Sequence, residues 1–156
     1  MNYKSCLDVA IILAIKAGEH LRSDFNRESG LRGHVDHSPV DNEAEAIIRQ
    51  GLSDAYPDFG QLGEELPELD RPGHDEQQHV WAIDPNDGTR AFLQGWRGSA
   101  VSIGLLCRDL PVLGVVYAYA ERAGLDDLIA WAEGQPLPYN GSIINPDVRH
   151  QLSVPK

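Results

Sequence analysis

The spacing of apolar residues changes near position 57, and this change constrains the fold more than any other feature of the chain. Before it, apolar side chains recur every three or four residues, as on one face of an α-helix. In a first helix, residues 7–25, they are Leu7, Ala10, Ile11, Ala14, Ala17, Leu21 and Phe25. In a second helix they are Ala44, Ile47, Ile48, Leu52 and Ala55. Ser38 as N-cap and Pro39 at the first helical position should begin the second helix, and Pro57 should end it.

After position 57, short runs rich in β-branched and apolar residues predict strands. The expected elements are a short strand or turn at residues 58–63, a strand ending at Asp84, a hairpin of residues 99–107 and 112–120, and a strand at residues 127–132. Residues 139–142 carry a turn signal. Two helices followed by several strands indicate an α+β fold, with the two N-terminal helices packed on a largely antiparallel sheet.

Composition limits the class of protein and the kind of partner. The chain has 156 residues, enough for one ordinary domain with its own core. Its 24 acidic and 13 basic residues argue against a nucleic-acid polymer or a membrane as partner and are compatible with cation binding. Cys6 and Cys107 form neither a disulfide framework nor a metal-ligand spacing, so a cytoplasmic location is expected. The apolar run at residues 9–15 is too short to span a bilayer.

The segment from Asp84 to Thr89 carries the strongest chemical signal. A strand delivers Asp84, Pro85 should break the strand, and Asp87 can turn back toward the same point in space. Gly88 and Thr89 then offer backbone N–H groups where a helix could begin, which is a common way to hold a phosphate. Carboxylates for a divalent cation beside an anion site suggest metal-assisted phosphate chemistry.

With these residues in view, the chain resembles the inositol monophosphatase family of magnesium-dependent, lithium-sensitive phosphatases. The matching blocks are Asp41 with Glu45, Gly63-Glu64-Glu65, Asp84-Pro85-x-Asp87-Gly88-Thr89, and the hairpin stretches 101–105 and 114–117. The resemblance implies the N-terminal part of the layered α/β sugar-phosphatase fold, with Mg²⁺ as cofactor, a small phosphorylated substrate and a homo-oligomer. It also implies a metal- and phosphate-binding domain at residues 1–142, and at residues 143–156 a truncated linker toward a C-terminal domain that is missing.

The resemblance assigns a role to each site residue. Glu64, Asp84 and the main-chain carbonyl of Asn86 would bind a first Mg²⁺, and Asp84 and Asp87 a second. Glu64 and Thr89 would orient and deprotonate the attacking water, with Asp41 supporting the Thr89 hydroxyl. The substrate would lie against the segment Asn86, Asp87, Gly88 and Thr89, with the amides of Gly88 and Thr89 on its phosphate. In the family a Trp-Asp motif completes the second metal site, and no Trp-Asp pair occurs in this sequence.

Each assignment has a structural alternative. Asp84 and Asp87 suit an ordinary turn after a strand, and Glu64 suits a solvated surface position. Asp41 suits a helix N-terminus as well as it suits catalysis. Trp96 and Arg97, after the motif, suit either substrate contact or packing at the rim. His34, His37, His74 and His79 lie in polar sequence and are expected at the surface.

The expected function is that of a magnesium-dependent phosphomonoesterase that hydrolyses a small polyol or sugar phosphate with metal-activated water. The sequence Thr89-Arg90-Ala91-Phe92 also resembles the histidinol-phosphate phosphatase branch of the superfamily. A histidinol-phosphate or nucleoside-bisphosphate phosphatase is therefore one alternative. The other is a catalytically silent domain that binds metal, or associates with another chain, because the C-terminal half is absent.

Overall fold

A computed structural model describes residues 2–34, 37–66, 75–119 and 126–143. The described residues form three helices and seven strands. The helices are α1 (Lys4–Phe25), α2 (Pro39–Ala55) and α3 (Thr89–Leu93). The strands are β1 (Gly60–Gly63), β2 (His79–Asp87), β3 (Ala100–Cys107), β4 (Leu110–Ala118), β5 (Asp127–Ala132), β6 (Pro138–Tyr139) and β7 (Ser142–Ile143).

The strands form one sheet in the order of the sequence, from β1 to β7. Strand β1 pairs with β2 in parallel, and every later pair is antiparallel. Arg108 and Asp109 join β3 to β4 with φ values of 51° and 64°, the left-handed backbone that suits a two-residue hairpin turn. The predicted α+β arrangement of two N-terminal helices on a largely antiparallel sheet is confirmed.

One detail of the prediction is wrong. Strand β2 does not end at Asp84 but continues to Asp87. Asp84 pairs with Ser102 and Asp87 with Ala100 of β3, so β2 contains one extra residue between these two pairs. Pro85 lies in this β-bulge, where its missing N–H breaks no ladder hydrogen bond. Ser38 is the N-cap residue of α2 and Pro39 begins the helix, as predicted, while the Ser38 hydroxyl donates to the Arg32 carbonyl at 2.6 Å.

The two helices α1 and α2 cover one face of the sheet. On that face a row of apolar side chains crosses four strands, namely Ile83, Ile103, Val115 and Ala130. The opposite face carries Ala82, Gly104 and Gly114, and its larger apolar side chains are exposed: Leu62, Val116, Ile129 and Trp131. We call this second face the outer face. None of the described helices has the length and apolar character needed to cross a membrane.

Glu45 of α2 fixes the backbone that follows β1. It is fully buried, and its carboxylate accepts hydrogen bonds from Arg49 Nε at 2.7 Å and from the backbone N–H groups of Glu65 and Leu66 at 2.7 and 3.2 Å. Gly63 lies directly against it, since a Cβ at Gly63 would be 1.9 Å from Glu45 Oε1. The first turn after β1 is therefore held by a buried ion pair that leaves no room for a side chain at Gly63.

We expect Gly63→Ala to lower the free energy of unfolding by about 1–3 kcal/mol, because the new methyl group must displace a carboxylate that holds three donors. Urea denaturation measures the change. Gly114→Ala is the matched control, because a Cβ at Gly114 meets nothing within 4 Å. Equal stability of the two variants would show that Glu45 can move without loss.

Candidate active site

The bulge in β2 sends two nearby side chains to opposite faces of the sheet. Asp84 is opposite Ser102 of β3 and lines the outer face. Asn86 is 2% exposed and its side chain contacts α2. The Asn86 backbone N–H donates to Asp84 Oδ1 at 3.0 Å, so the aspartate closes the turn with its own side chain. The bulge therefore places Asp84 on the outer face and Asn86 on the face covered by the helices, although they are only two residues apart.

Asp41, in the first turn of α2, is fully buried and its carboxylate accepts two hydrogen bonds. Asn86 Nδ2 donates to Oδ1 at 2.9 Å, and Thr89 Oγ1 donates to Oδ2 at 3.0 Å. Burial raises the pKa of Asp41 to about 6, although these two hydrogen bonds act in the opposite direction. Between the two alternatives that the sequence left open for Asp41, the contacts favour a place in the site.

Thr89 begins α3 directly after Gly88, whose φ of 97° favours glycine. The Thr89 hydroxyl lies 3.0 Å from Asn86 O as well as 3.0 Å from Asp41 Oδ2. The Gly88 carbonyl accepts from the Phe92 N–H at 3.0 Å and from Ser99 Oγ at 3.2 Å. The turn that carries the predicted phosphate ligands is therefore fixed on both sides of Gly88.

Glu64, directly after β1, and Asp84, within β2, form a close carboxyl pair. Gly63 is opposite Ile83, so the residues that follow them, Glu64 and Asp84, are neighbours. Burial, then the charge and hydrogen bond of Glu64, and also the charge of Asp87, raise the pKa of Asp84 to about 7. Crowded acidic oxygens of this kind are the ligands that a hard divalent cation prefers.

Glu65, the neighbour of Glu64, faces a different environment. Its Oε2 lies 3.4 Å from His37 Nδ1, and its backbone N–H is held by Glu45. Burial, together with the charge of Glu64, raises the pKa of Glu65 above its ordinary value. The segment after β1 therefore brings a second acidic group close to the Glu64–Asp84 pair.

The structure brings most of the predicted residues together. Glu64 follows β1, Asp84 and Asp87 lie in the irregular end of β2, and Gly88 and Thr89 begin α3, with Glu64, Asp87 and Gly88 exposed. Within the described part of the chain, no three His, Cys, Asp or Glu side chains form a group that could hold a metal ion. The carboxylate oxygens that are present do match the chemistry of Mg²⁺.

Three residues of the site were not predicted from the sequence in their observed roles. Glu45 had no assigned role, Tyr119 was not considered, and Asn86 was assigned only through its main chain and as part of the substrate segment. Tyr119 donates its hydroxyl hydrogen to Asn86 Oδ1, and both residues are buried. Asn86 lies between Pro85 and Asp87 in the sequence, and no local pattern indicated that its side chain is buried.

The surface prediction holds for His34 and His37 and is wrong for His79. His79 is 1% exposed and contacts Tyr3 Oη at 3.1 Å and Asp75 Oδ2 at 2.6 Å. It joins the start of α1 to β2, outside the site. His74 lies outside the described residues. Trp96 is 65% exposed on the loop after α3, which leaves both of its alternatives open.

Comparison with known proteins agrees with the blocks found in the sequence. Residues 2–154 match the model of the inositol monophosphatase family. The chain is 39% identical to Inositol-1-monophosphatase of Mesorhizobium japonicum over 139 residues, which cover 86% of this chain and 50% of that protein. It is 29% identical to Inositol monophosphatase 1 of Bos taurus over 160 residues, covering 99% of this chain and 55% of that protein.

Solved structures show the same relationship. Extragenic suppressor protein suhB from Bartonella henselae superposes with a TM-score of 0.77 at 35% identity, covering 90% of this chain and 54% of that one. CysQ from Bacteroides thetaiotaomicron, described as a bacterial member of the inositol monophosphatase family, superposes with a TM-score of 0.72 at 27% identity, covering 91% of this chain and 51% of that one. The chain spans about half the length of the curated relatives it matches. Its fold, its ordered motif blocks and these matches show that it belongs to the inositol monophosphatase family.

Proposed function

We propose that this protein is a magnesium-dependent phosphomonoesterase that acts on a small polyol or sugar phosphate in the cytoplasm. The observation that carries the proposal is the position of the Thr89 hydroxyl, held against Asp41 Oδ2 and Asn86 O beside the Glu64–Asp84 pair. A hydroxyl that donates to a buried carboxylate keeps its lone pairs free to accept a hydrogen bond from a water molecule. The free thiols Cys6 and Cys107 support the cytoplasmic setting.

The carboxylates next to this hydroxyl are suited to hold the cofactor. Glu64, Asp84 and the Asn86 carbonyl would supply oxygens to one Mg²⁺, and Asp84 and Asp87 to another, with water or further protein oxygens completing each shell. Bound Mg²⁺ supplies positive charge that lowers the pKa of water and neutralises phosphate oxygens. Glu64 and Thr89 would orient the attacking water, with Asp41 fixing Thr89. The amides of Gly88 and Thr89 would bind the phosphate.

Which phosphate ester the protein hydrolyses is a separate and more specific proposal. Relatives are named inositol-1-monophosphatase, and one from Aquifex aeolicus is named fructose-1,6-bisphosphatase/inositol-1-monophosphatase, so related sites take different esters. Trp96 and Arg97 are exposed on the loop after α3. This loop passes close to Gly88, because a Cβ added at Gly88 would lie 3.5 Å from the carbonyl oxygen of Gly98. The indole and guanidinium groups are planar and can stack on a flat ring of a substrate. Histidinol phosphate and nucleoside bisphosphates therefore stay alternatives to a polyol phosphate.

We expect this chain to release phosphate from at least one of inositol phosphate, histidinol phosphate and adenosine bisphosphate when Mg²⁺ is present. Asp84→Asn should lower kcat/KM by about a hundredfold or more, the scale of losing one electrostatic group of an active site. Asp109→Asn is the matched control, since it removes the same charge at a hairpin turn that asparagine tolerates. A chain that hydrolyses none of the three esters would contradict the proposal.

The dependence of stability on pH tests the cation site without any substrate. Asp41 and Asp84 bind protons more tightly in the folded protein than in the unfolded chain, where Asp titrates near pH 4. Ionising them therefore costs folding free energy, and stability should fall as the pH rises from about 4 to about 7. Glu43, Asp75 and Asp126 have lowered pKa values and act below this window.

We expect Mg²⁺ to reverse part of this fall, because a cation favours the ionised form of Asp84. Urea denaturation at several pH values, with and without Mg²⁺, measures the effect. Asp84→Asn should show a shallower fall and no response to Mg²⁺. If the variant and the natural sequence respond equally to Mg²⁺, the cation does not bind at Asp84.

A second candidate is a silent domain that associates with another copy of the chain. The outer face favours it, because among the described residues Leu62, Val116, Ile129 and Trp131 are 38–44% exposed on this one sheet surface. Contiguous apolar surface of this kind promotes association. We propose that a second copy packs on this face, whether or not the protein is catalytic.

We expect the chain to sediment as a dimer at micromolar concentration, and Ile129→Lys on the outer face to make it a monomer. Leu110→Lys is the control, because Leu110 is 68% exposed at the hairpin end and lies outside the row of outer-face residues. Analytical ultracentrifugation distinguishes the two states. A natural sequence that sediments as a monomer would contradict the association.

A further inference from the structure

The side chain of Asn86 forms a buried bridge between two parts of the fold. Its Nδ2 donates to Asp41 Oδ1 on α2 at 2.9 Å, and its Oδ1 accepts from the hydroxyl of Tyr119, directly after β4. Asn86 is 2% exposed, Tyr119 1% and Asp41 0%. The bridge thus lies inside the protein, behind the turn that carries Asp84 and Thr89.

The donors and acceptors of this bridge fit together in one orientation. An ionised Asp41 carboxylate can only accept, so Asn86 must present its NH₂ group to it. The amide oxygen then faces Tyr119, which must donate. Turning the amide over would place the amide oxygen against the carboxylate, two acceptors, and the hydrogen bond between Asn86 and Asp41 would be lost. Asp41 therefore sets the orientation of the Asn86 amide, and Tyr119 stabilises it by donating to Oδ1.

The bridge also fixes which oxygen of Asp41 meets Thr89. With Oδ1 held by Asn86, Oδ2 is the oxygen that meets Thr89, at 3.0 Å from its Oγ1. The main chain of Asn86 acts at the same place, since its N–H donates to Asp84 Oδ1 and its carbonyl lies 3.0 Å from Thr89 Oγ1. One residue therefore contacts Asp41, Asp84 and Thr89.

We propose that the Asn86 side chain and Tyr119 are positioning residues, which hold the Asp41 carboxylate so that the Thr89 hydroxyl keeps a single orientation toward the reacting water. The role in hydrolysis rests on the proposed phosphatase function, whereas the orientation of Thr89 does not. An apolar side chain at Asn86 would retain the main-chain contacts and lose only the bridge, so the two contributions can be separated by substitution.

The test compares Asn86→Leu and Tyr119→Phe with the natural sequence. The three-bond couplings of the Thr89 methyl carbon to its backbone nitrogen and carbonyl carbon report the side-chain rotamer. We expect one rotamer in the natural sequence, averaging between rotamers in Asn86→Leu, and partial averaging in Tyr119→Phe. On the substrate that is hydrolysed, kcat should fall about tenfold or more in Asn86→Leu, with KM changed less than about twofold.

Tyr117→Phe is the matched control for a purely structural effect. Tyr117 is 4% exposed and its hydroxyl donates to Asp126 Oδ2 at 2.6 Å, away from the site. It should lower stability and leave the Thr89 rotamer and kcat unchanged. A Thr89 rotamer that stays single in both Asn86→Leu and Tyr119→Phe would overturn the proposal, as would a loss of kcat that Tyr117→Phe reproduces at equal loss of stability.

Two further outcomes are decided by the same measurements. If Asn86→Leu does not fold, Tyr119→Phe alone decides, because it removes one oxygen atom and retains the Asn86–Asp41 contact. If the natural sequence hydrolyses no ester, the phosphatase proposal fails. The Thr89 couplings then still show whether Asn86 and Tyr119 orient the hydroxyl.

Discussion

The extra residue in β2 is the feature on which the rest of the site depends. A regular strand would alternate its side chains between the two faces, so Asp84 and Asn86 would share one face. The bulge breaks this alternation and turns Asn86 inward while Asp84 stays outward. The polar network around Asp41 and the acidic pair around Asp84 can then form back to back. Burial explains the raised pKa of Asp41, and burial together with the nearby charge of Glu64 explains that of Asp84.

Much of the fold could be predicted from the sequence, because the helices and the hairpin each bury a clear periodic face. In the predicted apolar row of α1, Leu7, Ala10, Ala14, Ala17 and Leu21 are buried, and Ile11 and Phe25 are partly buried. In β3 the buried residues alternate along the strand. The bulge was missed because proline was taken as a strand breaker, whereas a strand tolerates proline where the pairing is irregular. Contacts between distant residues, such as Tyr119 with Asn86, leave no local periodic signal. Motif residues were found by their spacing, but the contacts behind them depend on packing.

Among the described residues, the two faces of the sheet differ in how far they are covered. Helices α1 and α2 pack on the first face, whereas Leu62, Val116, Ile129 and Trp131 of the outer face are 38–44% exposed. The proposed cation site lies at the edge of the outer face, next to Leu62, Ala82 and Ser102. Whatever packs on that face would also change how much water reaches Asp84, and hence the pKa of its carboxyl group. Association and cation affinity are therefore expected to be linked through this surface.

The order of the site residues along the chain has a consequence for folding. Asn86 and Thr89 lie 45 and 48 residues from Asp41, and Tyr119 lies 33 residues from Asn86. Contacts of such long sequence separation form only after the chain between them has closed, which costs entropy. The polar network around Asp41 therefore requires α2, β2 and the hairpin of β3 and β4 to be in place together. We expect it to form late in folding, after the helices and the hairpin themselves.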